Sequence, residues 1–159
     1  MMLAKNCRRF LYRAVLSSIA LVILLPASAR ADSDPWTAAQ TVQPQQLLKE
    51  LSDPGTAPTI AFVGFERLFH AGHIKGAQFH GTGGSEEGLK QFKAWAAALP
   101  RTTNLVIYCG CCPLERCPNI RPAFVALRQM GFTNVRVLLL PNSFEADWAG
   151  KGLPYEKSH

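Results

Sequence analysis

The apolar run Leu105-Val106-Ile107-Tyr108 leads straight into four cysteines within nine residues, Cys109, Cys111, Cys112 and Cys117. These give way to a helical pattern that follows Pro122 through Phe124, Leu127, Arg128 and Met130. The composition of the run is that of a buried strand, and the proline sits where a helix's first turn tolerates one. A strand that delivers a side chain into a loop, followed by a helix opening from that loop, surrounds the delivered group with backbone N–H donors. A sulfur placed there is favoured as its thiolate. Cys109, the first residue after the run, is therefore the candidate nucleophile.

The remaining chain reads as scaffold for that loop. Residues 45–51 suit a short helix with Leu47, Leu48 and Leu51 on one side, and Asp53-Pro54-Gly55 is a turn. Residues 59–63 read as a buried strand, 64–71 as a connection or short helical turn, and 78–80 as a further short strand. Gly72 and Gly76 bound the turn Gly72-His73-Ile74-Lys75-Gly76 and are expected to take backbone angles closed to other residues. Gly81-Thr82-Gly83-Gly84 lacks the strand-before, helix-after setting of a dinucleotide loop and reads as a flexible linker. Residues 86–99 form an amphipathic helix with Leu89, Phe92, Trp95, Ala96 and Leu99 inward, ended by Pro100. After the cysteine loop and its helix, Gly131 is a C-cap, residues 135–140 a strand and 144–149 a short helix. Strands that alternate with helices predict an α/β domain with a parallel sheet covered on both faces, and ligands in such sheets sit beyond the strands' carboxyl ends.

The formal charge of +6 would suggest an acidic partner if it were spread over the domain. It is not. Lys5, Arg8, Arg9, Arg13 and Arg30 precede the first acid, and from Asp32 onward twelve Lys and Arg face eleven Asp and Glu, a net of +1. A near-neutral domain carries no nucleic-acid footprint. The basic residues belong instead to a segment that reads as a secretory signal. A positive region at 5–13 precedes an apolar region at 14–25, Pro26 breaks it, and Ala29-Arg30-Ala31 fits a small-x-small cleavage site. The expected organisation is a signal at 1–31, a polar lead-in at 32–44 that packs loosely through Trp36, and one domain at 45–157. The apolar region is shorter than a membrane span requires, so no stable span is expected after cleavage, and the mature protein is expected to be periplasmic or secreted.

Export shapes the reading of the cysteines, because oxidising compartments favour disulfides. A stapled secreted domain spreads its cysteines to close long loops. Here any pairing would close a very small ring, which restrains the unfolded chain little. Clustering fits nucleophilic, redox or metal chemistry better. Cys111, Cys112 and Cys117 can resolve an adduct on Cys109 or form a loop-fixing disulfide, for which Cys117 is the favoured partner because adjacent Cys111 and Cys112 would pair only with strain.

Three stretches resemble one family. Gly72-His73-Ile74-Lys75-Gly76-Ala77-Gln78-Phe79 is similar to the glycine-histidine-isoleucine turn of rhodanese-like domains. Val106-Ile107-Tyr108-Cys109 is similar to their strand into the active-site cysteine, and residues 144–157 to their closing segment. The resemblance runs in order from about residue 45 to 157. It implies a doubly wound α/β domain with a five-stranded parallel sheet, and sulfane-sulfur transfer through a cysteine persulfide. Two departures bear on the donor and acceptor rather than on the fold. Phe62 and Gly64 stand where the family usually carries Asp and Arg, and the loop after Cys109 is longer than usual.

The candidate site is thus Cys109 as nucleophile, Cys111, Cys112 and Cys117 as resolving or disulfide-forming thiols, and Arg116 and Arg121 as groups that could hold an anionic donor. The reading needs no cofactor. Its partners are a small sulfur-containing donor and a thiol acceptor or reductant. A competing reading makes the C-x-C-C-x4-C cluster a non-enzymatic module for Cu(I), Zn or a protein partner. The spacing disfavours a cysteine phosphatase: the residues six beyond Cys109, Cys111 and Cys112 are Glu115, Cys117 and Pro118, never arginine, and Glu115 would repel phosphate.

Overall fold

The computed structural model describes residues 34–158, so the segment read as a signal lies outside the described residues. Five strands form one wholly parallel sheet: β1 (Thr41–Val42), β2 (Thr59–Phe62), β4 (Gln78–Phe79), β5 (Leu105–Tyr108) and β6 (Val135–Leu138), in the order β1-β6-β5-β2-β4. A separate antiparallel pair joins β3 (His73–Ile74) to β7 (Tyr155–Glu156). The helices are α1 (Pro44–Leu51), α2 (Glu66–Ala71), α3 (Glu86–Ala97), α4 (Ile120–Gln129) and α5 (Phe144–Asp147). Among the described residues, no helix is long and apolar enough to cross a membrane.

The central strand shows how the sheet sorts its side chains. All four residues of β5 are buried, as a strand covered on both faces must be. Leu105 and Ile107 point into a core with Phe92 and Ala96 of α3 and Ile120, Phe124 and Leu127 of α4, whereas Val106 and Tyr108 point into a second core with Leu47 of α1 and Trp148. The two-residue period of the strand continues into Cys109, which joins the α3/α4 core.

The helices end where their caps dictate. Ser85 Oγ accepts the Gly88 N–H at 3.1 Å, and Glu86 and Glu87 occupy the first turn of α3. Gly131, at φ +88°, closes α4 as expected. On α1, Glu50 receives both ends of the Arg136 guanidinium, at 2.8 and 2.7 Å, which fixes that helix to β6.

Three expectations need correction. The lead-in does not pack loosely: Trp36 is buried in the α3/α4 core, its ring edge-on to Phe124 at 5.5 Å, and Thr41–Val42 supplies the edge strand β1. Gly72 is not the constrained glycine of its turn. Its φ of 171° is ordinary extended backbone, and an added Cβ would meet Phe144 and Tyr155 at 3.6 Å; it is Gly76, at φ +82°, that needs the left-handed region. Residues 81–84 are not a free linker either. A Cβ on Gly83 would lie 2.3 Å from the Asn119 carbonyl oxygen, and Gly83 N–H donates to Val63 O at 2.9 Å. Gly83 and Gly84 are pressed against the end of the cysteine loop, where no side chain fits.

The topology also creates a crevice. β2 and β5 are neighbours, but the chain leaving β2 enters α2 on the second-core face, while the chain leaving β5 enters α4 on the opposite face. Connections that diverge from adjacent parallel strands leave an opening beyond their carboxyl ends. Cys109 is the first residue past the end of β5.

Candidate active site

The crevice is a cavity of about 270 Å3. Cys109, Gly110 and Cys111 line it from the β5 side, Phe62, Leu68 and Gly72 from the β2–α2 side, and Ser143, Phe144 and Glu145 from the loop after β6, with Tyr155 and Lys157 closing the rim. The sheet fixes Cys109 doubly. Val63 N–H donates to Tyr108 O at 2.8 Å, extending the β2–β5 ladder by one bond, and the buried Tyr108 hydroxyl accepts the Ile74 N–H at 2.9 Å. Burial raises the Tyr108 hydroxyl above its ordinary range, so it remains protonated. This bond ties the Gly-His-Ile turn to the strand that carries the cysteine. His73 orders the same turn through Nδ1, 2.8 Å from Phe69 O, and its ring stacks on Phe69 at 3.8 Å.

Gly110 lets the chain turn immediately after Cys109. It has φ +68°, its carbonyl accepts the Phe144 N–H at 3.0 Å, and a Cβ there would lie 2.7 Å from Phe144 Cβ. The turn brings the sulfurs together. Cys109 Sγ donates to Cys111 Sγ at 3.1 Å, Cys111 Sγ lies 3.2 Å from Cys112 Sγ, and the sulfurs of Cys109, Cys111 and Cys117 all fall within 4.8 Å of one another. All four cysteines are free thiols. Cys109 and Cys117 are buried, while Cys111 and Cys112 are half-buried.

Their proton affinities diverge because they share hydrogen bonds. Cys111 is drawn down to about 5, first by the Cys109 thiol that donates to it, against the opposing effect of burial. Cys117 is drawn down to about 7, first by the Cys109 thiol and also by the N–H groups of Asn119 and Ile120 where α4 begins. Cys109 is pushed up, first because it is the donor to Cys111 and Cys117, and then by burial. Cys112 is pushed up to about 12, chiefly by burial. The thiols are coupled: Cys111 and Cys117 are the ones favoured as thiolates, while Cys109, which donates to Cys111, is the one held protonated.

Asn119 is the residue that sequence reading misses. It stands before α4 where an asparagine would ordinarily cap the helix, yet it makes no side-chain cap. Its buried amide bridges two loops instead. Nδ2 lies 3.4 Å from Cys109 Sγ and 3.7 Å from Cys111 Sγ, and Oδ1 accepts the Gly84 N–H at 3.0 Å. The only signal in the sequence is an asparagine two residues after Cys117, at a position that local rules assign to a cap.

The two arginines do not line the cavity. Arg121 donates to Leu114 O and Cys117 O at 3.0 and 3.3 Å, pairs with Asp34, and sits 5.5 Å from the Trp36 ring centre, so it braces the cysteine loop. Arg116 is exposed beside Glu115. Phe62, at the position where an acid would be expected, packs against Gly64 so closely that a Cβ there would meet its ring at 2.4 Å and Cys109 Sγ at 3.1 Å. The wall beside the sulfur is therefore aromatic, and among the described residues the cation lining the cavity is Lys157.

No family model and no curated protein matches the chain. Solved structures do. The rhodanese-like domain of the Alr3790 protein from Anabaena sp. is similar at 22% identity with a TM-score of 0.55 in its solution structure, over 74% of this chain and 79% of that one. A crystal structure of the Alr3790 protein gives 23% identity and 0.56, over 73% and 82%. The BH2092 protein from Bacillus halodurans gives 17% and 0.58, over 74% and 77%. The five-stranded parallel sheet with helices on both faces is thus the rhodanese-like fold, with a cysteine-rich loop at the mouth of its central strand.

Proposed function

We propose that this protein is an exported sulfurtransferase or thiol-redox protein of rhodanese type, acting in the periplasm or outside the cell through Cys109. One observation carries the reading. The sulfur at the end of the central strand opens on a cavity large enough for a small donor, and two further sulfurs lie within 4.8 Å of it. In the first step the Cys109 thiolate attacks the outer sulfur of a donor R–S–SH. The donor's S–S bond breaks, a Cys109–S–SH bond forms, and the donor leaves as RS⁻ with the electron pair. For Cys109 to attack, its proton passes along the 3.1 Å contact to Cys111. The N–H of Asn119 then supports the charge on the persulfide.

The second step has two routes. An external thiolate can take the outer sulfur and restore Cys109. Alternatively Cys111 or Cys117 attacks the inner sulfur, expels HS⁻ and leaves a disulfide to Cys109, which an external dithiol then reduces. The aromatic wall and the distance of Arg116 and Arg121 from the cavity favour organic sulfane donors over thiosulfate.

The test is a single-turnover reaction of the reduced protein with an organic hydropersulfide and with thiosulfate, scored for bound sulfur and released sulfide. The reading expects uptake of one sulfur in wild type, faster with the organic donor, and none in Cys109→Ser. Cys117→Ser and Cys111→Ser are expected to take up sulfur but release less sulfide. Uptake at the normal rate in Cys109→Ser would move the nucleophile to Cys111. No uptake from any sulfane donor would refute sulfur transfer.

A further inference from the structure

We propose that Cys109, Cys111 and Cys117 also form a binding site for one soft monovalent metal ion, Cu(I), held by three sulfurs. Metal binding by these sulfurs is separate from sulfur transfer and does not depend on it. It rests on the convergence of ligand atoms. Cys109 comes from the end of β5, Cys111 from the turn after it, and Cys117 from the residues that open α4, yet their sulfurs lie within 4.8 Å of one another. Metal–thiolate bonds of about 2.3 Å around a common centre set three sulfurs about 4 Å apart. The site therefore has the right size once the Cys109–Cys111 contact, now 3.1 Å, opens by about an ångström.

The ligand set selects the ion. Among the described residues no histidine, aspartate or glutamate joins the three sulfurs. An all-thiolate set excludes hard cations and leaves Cu(I) and Zn(II) as the first-row candidates. Structural zinc takes four ligands in a tetrahedron. Cys112 is a poor fourth: its sulfur lies 3.2 Å from Cys111 Sγ but is not within 4.8 Å of all three, so it does not close the set around a common centre. Three-sulfur coordination suits a d10 monovalent ion. Its surroundings are equipped for the resulting negative charge: Asn119 Nδ2 faces both Cys109 and Cys111, and the N–H groups of Asn119 and Ile120 face Cys117. Access is available too, since Cys109 and Cys111 both line the cavity while Cys117 is buried beneath them.

The experiment is an anaerobic titration of the reduced, metal-free protein with Cu(I) against a chromophoric Cu(I) chelator, with X-ray absorption at the copper edge. One equivalent of copper withdrawn from the chelator, with three sulfur neighbours, is expected. Cys117→Ser is expected to bind at least tenfold more weakly with two sulfur neighbours, and Cys112→Ser to keep all three. Failure to compete with the chelator overturns the proposal, as does two-sulfur coordination unchanged by Cys117→Ser, or preferential binding of Zn(II) through four sulfurs including Cys112. Exposure of the same metal-free sample to a sulfane donor measures sulfur uptake independently, so the two readings fail separately. Copper-loaded protein is expected to take up no sulfur, and undiminished uptake after loading would also overturn the site.

Discussion

Asn119 adds to the support of the cluster's charge, after the sulfur–sulfur hydrogen bonds themselves. Its amide donates to two sulfurs with one end and receives a backbone N–H from residues 81–84 with the other. Asn119→Ala leaves the Gly84 N–H without its partner and is expected to cost about 1–3 kcal/mol in chemical denaturation. It also removes a donor that lowers the Cys111 pKa, so the midpoint of thiolate formation is expected to move up in pH. The wild-type profile is itself a test. Because the Cys109 thiol holds Cys111 down to about 5, alkylation of the reduced protein is expected to stay fast at pH 6 and to fall only as the pH drops through about 5. An ordinary thiol, with a pKa of about 8.5, would already be slow at pH 6. At Gly110, φ +68° and the 2.7 Å approach to Phe144 mean that Gly110→Ala is expected to cost on the order of 1–3 kcal/mol, whereas Gly72→Ala is expected to change the melting temperature little. The place of Cys109 was legible because a buried apolar strand fixes whatever follows it. The roles of Gly72, Gly76 and Asn119 were not, because they depend on which backbone the turn meets, and that is set by residues far away in sequence.

At the scale of elements, the alternation of apolar runs with amphipathic helices was enough to give the sheet and its two covering layers. What the local pattern could not show was pairing at the margins. Thr41–Val42 is too short to announce itself as a strand and becomes one only by pairing with β6. Residues 81–84 look like a linker until Asn119 is brought against them. The clamp between α1 and β6 is equally non-local. Arg136 lowers the Glu50 pKa, chiefly through its hydrogen bonds, so the ionised pair stabilises the fold above the ordinary glutamate range. That contribution fades as the pH falls through the lowered folded value. Glu50→Gln is expected to cost about 1–3 kcal/mol at pH 7. The gap between variant and wild type should close in acid, as followed by urea denaturation at a series of pH values. A gap that stays constant down to low pH would assign the loss to packing rather than to charge.

For the whole molecule, the fold extends N-terminally of the segment that resembles rhodanese-like domains. Trp36 fills the α3/α4 core, and Asp34 reaches Arg121, the residue that braces the cysteine loop. Trp36→Ala is expected to cost about 3 kcal/mol, and to slow reaction at the cysteines as well, because Arg121 loses the ring it packs on. The two cores, the crevice between β2 and β5, and the loop that fills its mouth together place three sulfurs beside one small cavity. Cys109 is the sulfur proposed to receive the sulfane atom there. The most direct test is peptide-level mass spectrometry of the reduced protein after one equivalent of an organic hydropersulfide, with all thiols trapped at once. A single added sulfur on Cys109 is expected at early times, followed by a disulfide from Cys109 to Cys111 or Cys117. Sulfur found first on Cys111, or no sulfur on any cysteine, would contradict it.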